Sequence, residues 1–210
     1  MKLFYSPGAC SLSPHIVALE LGLKVDIERV DLRAKKTADG GDFTKINPKG
    51  YVPALKLDNG SVLTEGPAIV QYLADQKPES GLVPKAGTFE RAQLQEWLNF
   101  ISTELHKGFS PLWGIEKRVQ NKEGGDQLRN YTKEMLAQRI GVVDEALATN
   151  NFLMGSTFTV ADAYLYTVLN WAPKVGVELS PFKNVEKYMG RVGQRPKVQE
   201  AMKAEGLKTV

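Results

Sequence analysis

Cys10 is the only thiol in the chain and the first residue whose placement could do chemistry. It stands between a turn signal, Ser6-Pro7-Gly8, and a segment whose Ile16, Leu19, Leu21 and Leu23 keep an apolar face. Ser13 as cap and Pro14 as first helical residue predict a helix that begins just after the cysteine. Free amide N–H groups and the positive end of the helix dipole would then face the sulfur and favour its thiolate. A small buried hydrophobe is the other reading of a lone cysteine, and the residues by themselves leave both open. Glu65 and Gly66 stand at a second predicted helix mouth, opened by Pro67. Two such mouths could together hold a ligand bearing carboxylates, although an acid at that position also suits the dipole of its own helix. Farther along, Asn99, Thr103 and His106 recur at helical spacing with Lys107 beside them. A stripe of this kind is either a solvated face or the wall of a site. Thr159 and Asp162 have the spacing of a capping box and read as structural.

These residues need elements to position them. Lys2 to Tyr5 has the length and character of a strand, and Val25 to Leu32 alternates apolar and polar as a second. A strand, helix, strand opening predicts a parallel, right-handed crossover. Residues 34–50 are polar and glycine-rich, a loop with one helical turn, in which Lys35 and Lys36 are surface charges or, secondarily, an anion contact. From Pro53 to Thr64 two short runs flank Asp58-Asn59-Gly60, the signature of an antiparallel hairpin. Ile69, Val70, Tyr72 and Leu73 give the helix after Pro67 its apolar face.

Periodicity vanishes over residues 77–88, and beyond them no strand is expected. Leu94, Trp97, Leu98, Ile101 and Leu105 predict a long helix that Pro111 ends or kinks. A second follows from Leu128 to Leu147, then a very apolar one between Thr159 and Pro173, then two short ones opened by Pro181 and Pro196. The organisation is thus an α/β domain over residues 1–80, a linker over 81–88 and an all-helical domain over 89–210.

Composition narrows the function. One cysteine excludes an internal disulfide, and with His15 and His106 as the only histidines no metal site is expected. The net charge is +3, but the 27 basic and 24 acidic residues are interleaved, which is no footprint for nucleic acid. Apolar runs are too short to span a bilayer and the first residues do not read as an export signal, so a soluble cytoplasmic protein is expected.

YSPGACSLSPHI, NPKGYVPAL, LTEGPAIVQYLAD, EWLNFISTELHKGF and FTVADAYLYTVL, in that order, resemble the cytosolic glutathione transferases of the bacterial beta class over essentially the whole chain. The resemblance implies the glutathione transferase fold: an α/β N-terminal thioredoxin-like domain and an all-α C-terminal helical domain. It implies a cis Val52–Pro53 bond that turns the Val52 N–H and C=O outward, where an extended peptide can pair with them. Glutathione would be that peptide, with its γ-glutamyl end at Glu65 and Gly66, its glycyl carboxylate near Lys35 and its sulfur at Cys10. Many relatives have serine where this chain has Gly66. The resemblance further implies a homodimer in which Asn99, Thr103, Glu104, Leu105 and His106 line the glutathione site, at least partly from the partner subunit. His106 then becomes a hydrogen-bond donor near the two sulfurs, and Cys10 and His106 the catalytic pair. No cofactor beyond glutathione as co-substrate is implied.

Two mechanisms fit such a site: conjugation, in which bound glutathione attacks an apolar electrophile, and thiol exchange through a mixed disulfide at Cys10. Serine occupies the place of a resolving cysteine in Cys10-Ser-Leu-Ser13, so a second glutathione would have to resolve that disulfide. Lowering a thiol pKa from about 8.5 by about two units gains roughly 25-fold in thiolate and loses about 8-fold in nucleophilicity. Positioning must therefore supply most of the rate, which calls for an apolar pocket beside Cys10, with Tyr5, Phe109 and Trp113 as candidate walls. The alternative is a non-catalytic binding protein of the same fold for glutathione or apolar ligands.

Overall fold

The computed structural model describes residues 1–208. Its first part is a five-stranded sheet built on β1 (Lys2–Tyr5), which runs parallel to β2 (Asp26–Asp31) with Leu3 opposite Ile27. β3 (Lys36–Thr37) pairs antiparallel with β2, inside a stretch expected to be loop. On the other side β4 (Ala54–Lys56) runs antiparallel to β1, and β5 (Val62–Thr64) closes the edge through the predicted Asp58-Asn59-Gly60 turn. The order is β3-β2-β1-β4-β5, and the single helical turn of the intervening loop lies at Phe43–Lys45.

α1 (Leu12–Glu20) makes the crossover between β1 and β2, and starts earlier than expected. Ser11 is the residue at its mouth, and Pro14 lies within the first turn rather than opening it. The reason is local. Ser11 Oγ is taken up by the turn, accepting from the Ser6 amide at 3.1 Å, and the Ser13 hydroxyl donates back to the Cys10 carbonyl at 2.9 Å. α2 (Gly66–Asp75) follows β5, with Pro67 in its first turn as expected.

The rest is helical. α3 (Phe89–Phe100) is capped by the Thr88 hydroxyl, which accepts from the Arg91 amide, and runs into a π-helical turn over Ile101–His106. α4 (Lys107–Phe109) and a 3-10 turn through Pro111 end that run. A short α5 (Ile115–Arg118) was not legible in sequence. α6 (Lys122–Ala146) begins ahead of the expected Leu128, because Asn121 accepts from the Glu123 amide and sets a helix start upstream of Gly124 and Gly125. α7 (Val160–Leu169) carries the capping box: Asp162 accepts from the Thr159 amide at 2.8 Å and, through its other oxygen, from Leu153 at 2.9 Å. It stops at Leu169, short of Pro173, and a 3-10 turn over Ala172–Val175 follows. α8 (Lys183–Gly193) starts after Pro181, while α9 (Pro196–Ala204) does begin on its proline.

α1 packs against α2, α7 and α9, so helices from both ends of the chain share its surface. One apolar core runs from Leu3, Leu12 and Ile16 through Leu73, Leu94 and Leu98 to Leu165 and Val198. A smaller cluster of Phe4, Val30, Phe43, Val52 and Ala54 fills the sheet's other face. A fully buried Leu or Ile contributes about 1.5 to 3 kcal/mol. The shared core therefore holds the turn before α1 rigidly against the helical part. Among the described residues no helix is long and apolar enough to cross a membrane.

Candidate active site

A cavity of about 610 Å³ opens between the sheet and the helices. The β1–α1 turn from Ser6 to Cys10 forms one side, Tyr51 to Pro53 and Glu65 to Pro67 the second, and Ser102, His106, Lys107, Trp113, Tyr164, Trp171 and Lys174 the third. Of the residues expected at the site, Cys10, Val52, Pro53, Glu65, Gly66 and His106 come together here. The Val52–Pro53 bond is cis.

Cys10 is partly exposed as a residue, but its sulfur is enclosed and donates to the Val52 carbonyl at 3.2 Å. Burial pushes the thiol up to about 12; the Cys10 and Ser11 amides and Lys107 pull it down, and Glu65 adds to the rise. The helix mouth does act in the direction expected, but desolvation outweighs it, so the expected thiolate is a neutral S–H donor.

Glu65 occupies a left-handed backbone conformation, φ 70°, which costs a non-glycine residue on the order of 1 to 3 kcal/mol. Its carboxylate does not cap α2. It accepts from Lys49 at 2.6 Å and from the Tyr51 hydroxyl at 3.3 Å, and Lys49 is the main reason its pKa is lowered. The amide of Gly66, first of α2, is left over by helix geometry. A Cβ at Gly66 would meet nothing closer than Pro53 Cγ at 3.9 Å.

His106 reaches the cavity from the π-helical turn. Its Nδ1 lies 2.6 Å from the Tyr164 hydroxyl, and its ring packs edge-on to Trp171 at 4.8 Å. Burial lowers its pKa to about 4, with the Lys107 charge acting the same way and Glu65 opposing. Burial also keeps Tyr164 protonated, its pKa raised despite help from the Ser102 hydroxyl. Where the phenol donates to Nδ1, the ring proton sits on Nε2 and His106 is a neutral donor.

Other expectations place differently. Leu105 is fully buried in the core, Glu104 pairs with Arg139 on α6 at 3.2 Å, and Asn99 and Thr103 are exposed outside the cavity. The π turn breaks the 3.6-residue spacing that aligned Asn99 and Thr103 with His106, and Ser102 takes the place beside it. Lys35 also lies outside the cavity lining and donates to the Gly50 carbonyl at 2.6 Å. Tyr5 and Phe109 are core residues; of the three candidate walls only Trp113 lines the cavity. Nothing local in the sequence marks Tyr164, Trp171 and Lys174, which lie far along the chain from Cys10. Among the described residues no cluster of three or more His, Cys, Asp or Glu side chains could hold a metal.

A thioredoxin-like sheet with an enclosed thiol at the first helix mouth, covered by helices, is the frame of this site. The family models for the N-terminal and C-terminal domains of glutathione S-transferase match residues 8–76 and 100–196. The chain is 44% identical to glutathione S-transferase GstA of Escherichia coli O157:H7, over 99% of this chain and all of that one. The bacterial GST BphK, solved as a ternary complex, superposes with a TM-score of 0.92 at 52% identity, covering 99% of this chain and 100% of that one. The beta-class glutathione S-transferase of Sphingomonas chungbukensis gives 0.91 at 44% identity, with the same coverage. The chain belongs to the glutathione S-transferase family.

Proposed function

We propose that the protein is a cytoplasmic transferase that conjugates reduced glutathione to electrophilic, mostly apolar small molecules and uses no separate cofactor. The observation that carries this is one cavity joining the Cys10 thiol, the backbone around Val52 and Pro53, the α2 mouth and His106. Glutathione lies extended along Val52, with its γ-glutamyl ammonium at Glu65 and the adjoining carboxylate at the Gly66 amide. Lys35 remains the proposed partner of the glycyl carboxylate and must leave the Gly50 carbonyl to reach it. The glutathione sulfur stands opposite Cys10.

At that point the protonation states matter. Once glutathione pairs with the Val52 backbone, the Cys10 S–H turns from that carbonyl to the glutathione sulfur, and it and neutral His106 stabilise a thiolate there without themselves carrying charge. Lys107 adds a cation on the same side. The activated sulfur attacks the electrophile in the aromatic part of the cavity, and the thiol proton leaves to water. Thiol exchange through Cys10 is the slower of the two routes, because burial raises the thiol's pKa and keeps it mostly protonated at pH 7. The test is Cys10→Ala. Conjugation should fall by about tenfold or less, the worth of one neutral hydrogen bond among several, and a complete loss with intact folding would overturn the donor assignment.

The division into residues 1–80, a linker at 81–88 and a helical domain at 89–210 is part of the same reading, as is a homodimer. Asn99 and Thr103 face away from this chain's cavity, and Phe89 at the start of α3 is 74% exposed. Phe100, roughly three turns later, falls on the same side as Phe89. A partner subunit on that face would use Asn99 and Thr103 in its own glutathione site. Glu104 and Leu105 would act there only through α6 and the core. Sedimentation of the wild type against Phe89→Glu tests the dimer: the variant should dissociate.

A further inference from the structure

Two ammonium groups line the cavity and neither has an ion-pair or hydrogen-bond partner for its Nζ among the described residues: Lys107 and Lys174. The carboxylate that could have neutralised them, Glu65, is already paired with Lys49. Cys10 and His106 are uncharged at neutral pH, as derived above. The cavity therefore carries excess positive charge.

The two lysines have separate places. The Lys107 charge acts on Cys10, His106 and Glu65, so it belongs to the sulfur end. Lys174 sits on the 3-10 turn after α7 and lies over the β1–α1 turn, its Nζ 3.3 Å from where a Cβ on Gly8 would stand. Beside it are indoles. Trp171 and Trp113 meet edge to face with ring centroids 6.4 Å apart, and Trp113 is 42% exposed, a flat apolar surface open to a ring.

We propose that the electrophile this cavity selects is a flat aromatic molecule carrying an anionic group, with Lys174 as the specificity-determining residue that takes the anion. The inference rests on the conjugation reading and deepens it. A ring stacked on Trp113 places its anion at Lys174 and its electrophilic carbon toward the sulfur end. In aromatic substitution the C–S bond forms, halide leaves with the bonding electron pair, and the thiol proton passes to water.

The test uses a matched pair, a chlorodinitrobenzoate and its neutral methyl ester, each corrected for its uncatalysed rate with glutathione. The wild type should prefer the benzoate in kcat/KM, and Lys174→Gln should lower the benzoate-to-ester ratio by about fivefold, the scale of a partly exposed charge interaction. Lys174→Arg should restore the preference, and added salt should weaken it. An equal ratio in wild type and Lys174→Gln overturns the inference. So does a rise in KM for glutathione that is the same with either electrophile, since Lys174 would then serve the tripeptide. Turnover of the ester without a benzoate preference leaves the conjugation reading standing and removes only this one. Turnover of neither removes both.

Discussion

Gly8 and Glu205 are joined across nearly the whole length of the chain: the Gly8 amide donates to Oε2 of Glu205 at 2.9 Å, while Oε1 lies 3.0 Å from His15 Nδ1. The Glu205 side chain is fully buried, and Trp171 Nε1 donates to the Gly8 carbonyl at 2.8 Å. The turn that carries Cys10 is therefore clamped from both sides by residues of the helical part. Positive φ at Gly8, 68°, is what lets its N–H and C=O face these two partners.

Glu205→Ala should destabilise the protein by about 2 to 4 kcal/mol, because it leaves a buried amide and a buried imidazole without their partner. Urea titration reads the loss. Turnover of the folded fraction should fall as well, in kcat more than in the KM for glutathione, since Glu205 positions the turn that carries Cys10 but lines no part of the cavity itself.

Alkylation of Cys10 by iodoacetamide should be slow at neutral pH and rise only well above pH 9, because burial holds the thiol near 12. Bound glutathione should slow it further. A midpoint below pH 8 would mean that the helix mouth outweighs desolvation after all.

His106 should titrate near pH 4 by NMR, against an ordinary value of 6.5. Between those values the unfolded state binds more protons than the folded one, so stability rises with pH through this window and is lost as pH falls from 6.5 toward 4. Asp162, raised to about 6, works in the opposite direction over its own range from 3.8. Comparing urea midpoints of wild type and His106→Gln at pH 6.5 and 4.5 isolates the histidine, and the variant should lose less on acidification.

Gly66→Ser should lower the KM for glutathione by about two- to fivefold, the worth of one added neutral hydrogen bond. The site has room, with Pro53 Cγ at 3.9 Å and Ser13 Oγ at 4.0 Å as nearest neighbours of a new Cβ, and its φ is not in the left-handed region. Calorimetry with glutathione alone checks it, and a weakened affinity would place the γ-glutamyl end elsewhere.

Asp162→Asn should cost about 2 to 4 kcal/mol without altering the KM for glutathione. An amide nitrogen would face the donors that Asp162 now accepts from Thr159 or Leu153. A thermal melt reads this.

Much of this was legible because it is local. Ser6-Pro7-Gly8 before an apolar helical run, Asn59-Gly60 between two strands, and Thr159 with Asp162 each encode their geometry within a few residues, and each element formed, with α1 starting ahead of its expected cap and α7 ending short of Pro173. The shifted boundaries, at Ser11 and at Lys122, came from side chains that found partners just outside the expected helices. What the sequence could not supply is anything set by desolvation or by distant packing. The thiol state of Cys10 depends on how much water the helices exclude, His106 turns into the cavity because a π turn breaks the regular spacing, and Lys174, Trp171 and Glu205 reach the first turn only through the fold. Electrostatic sign could be read from one helix mouth; its outcome was decided by burial, which is a property of the whole molecule.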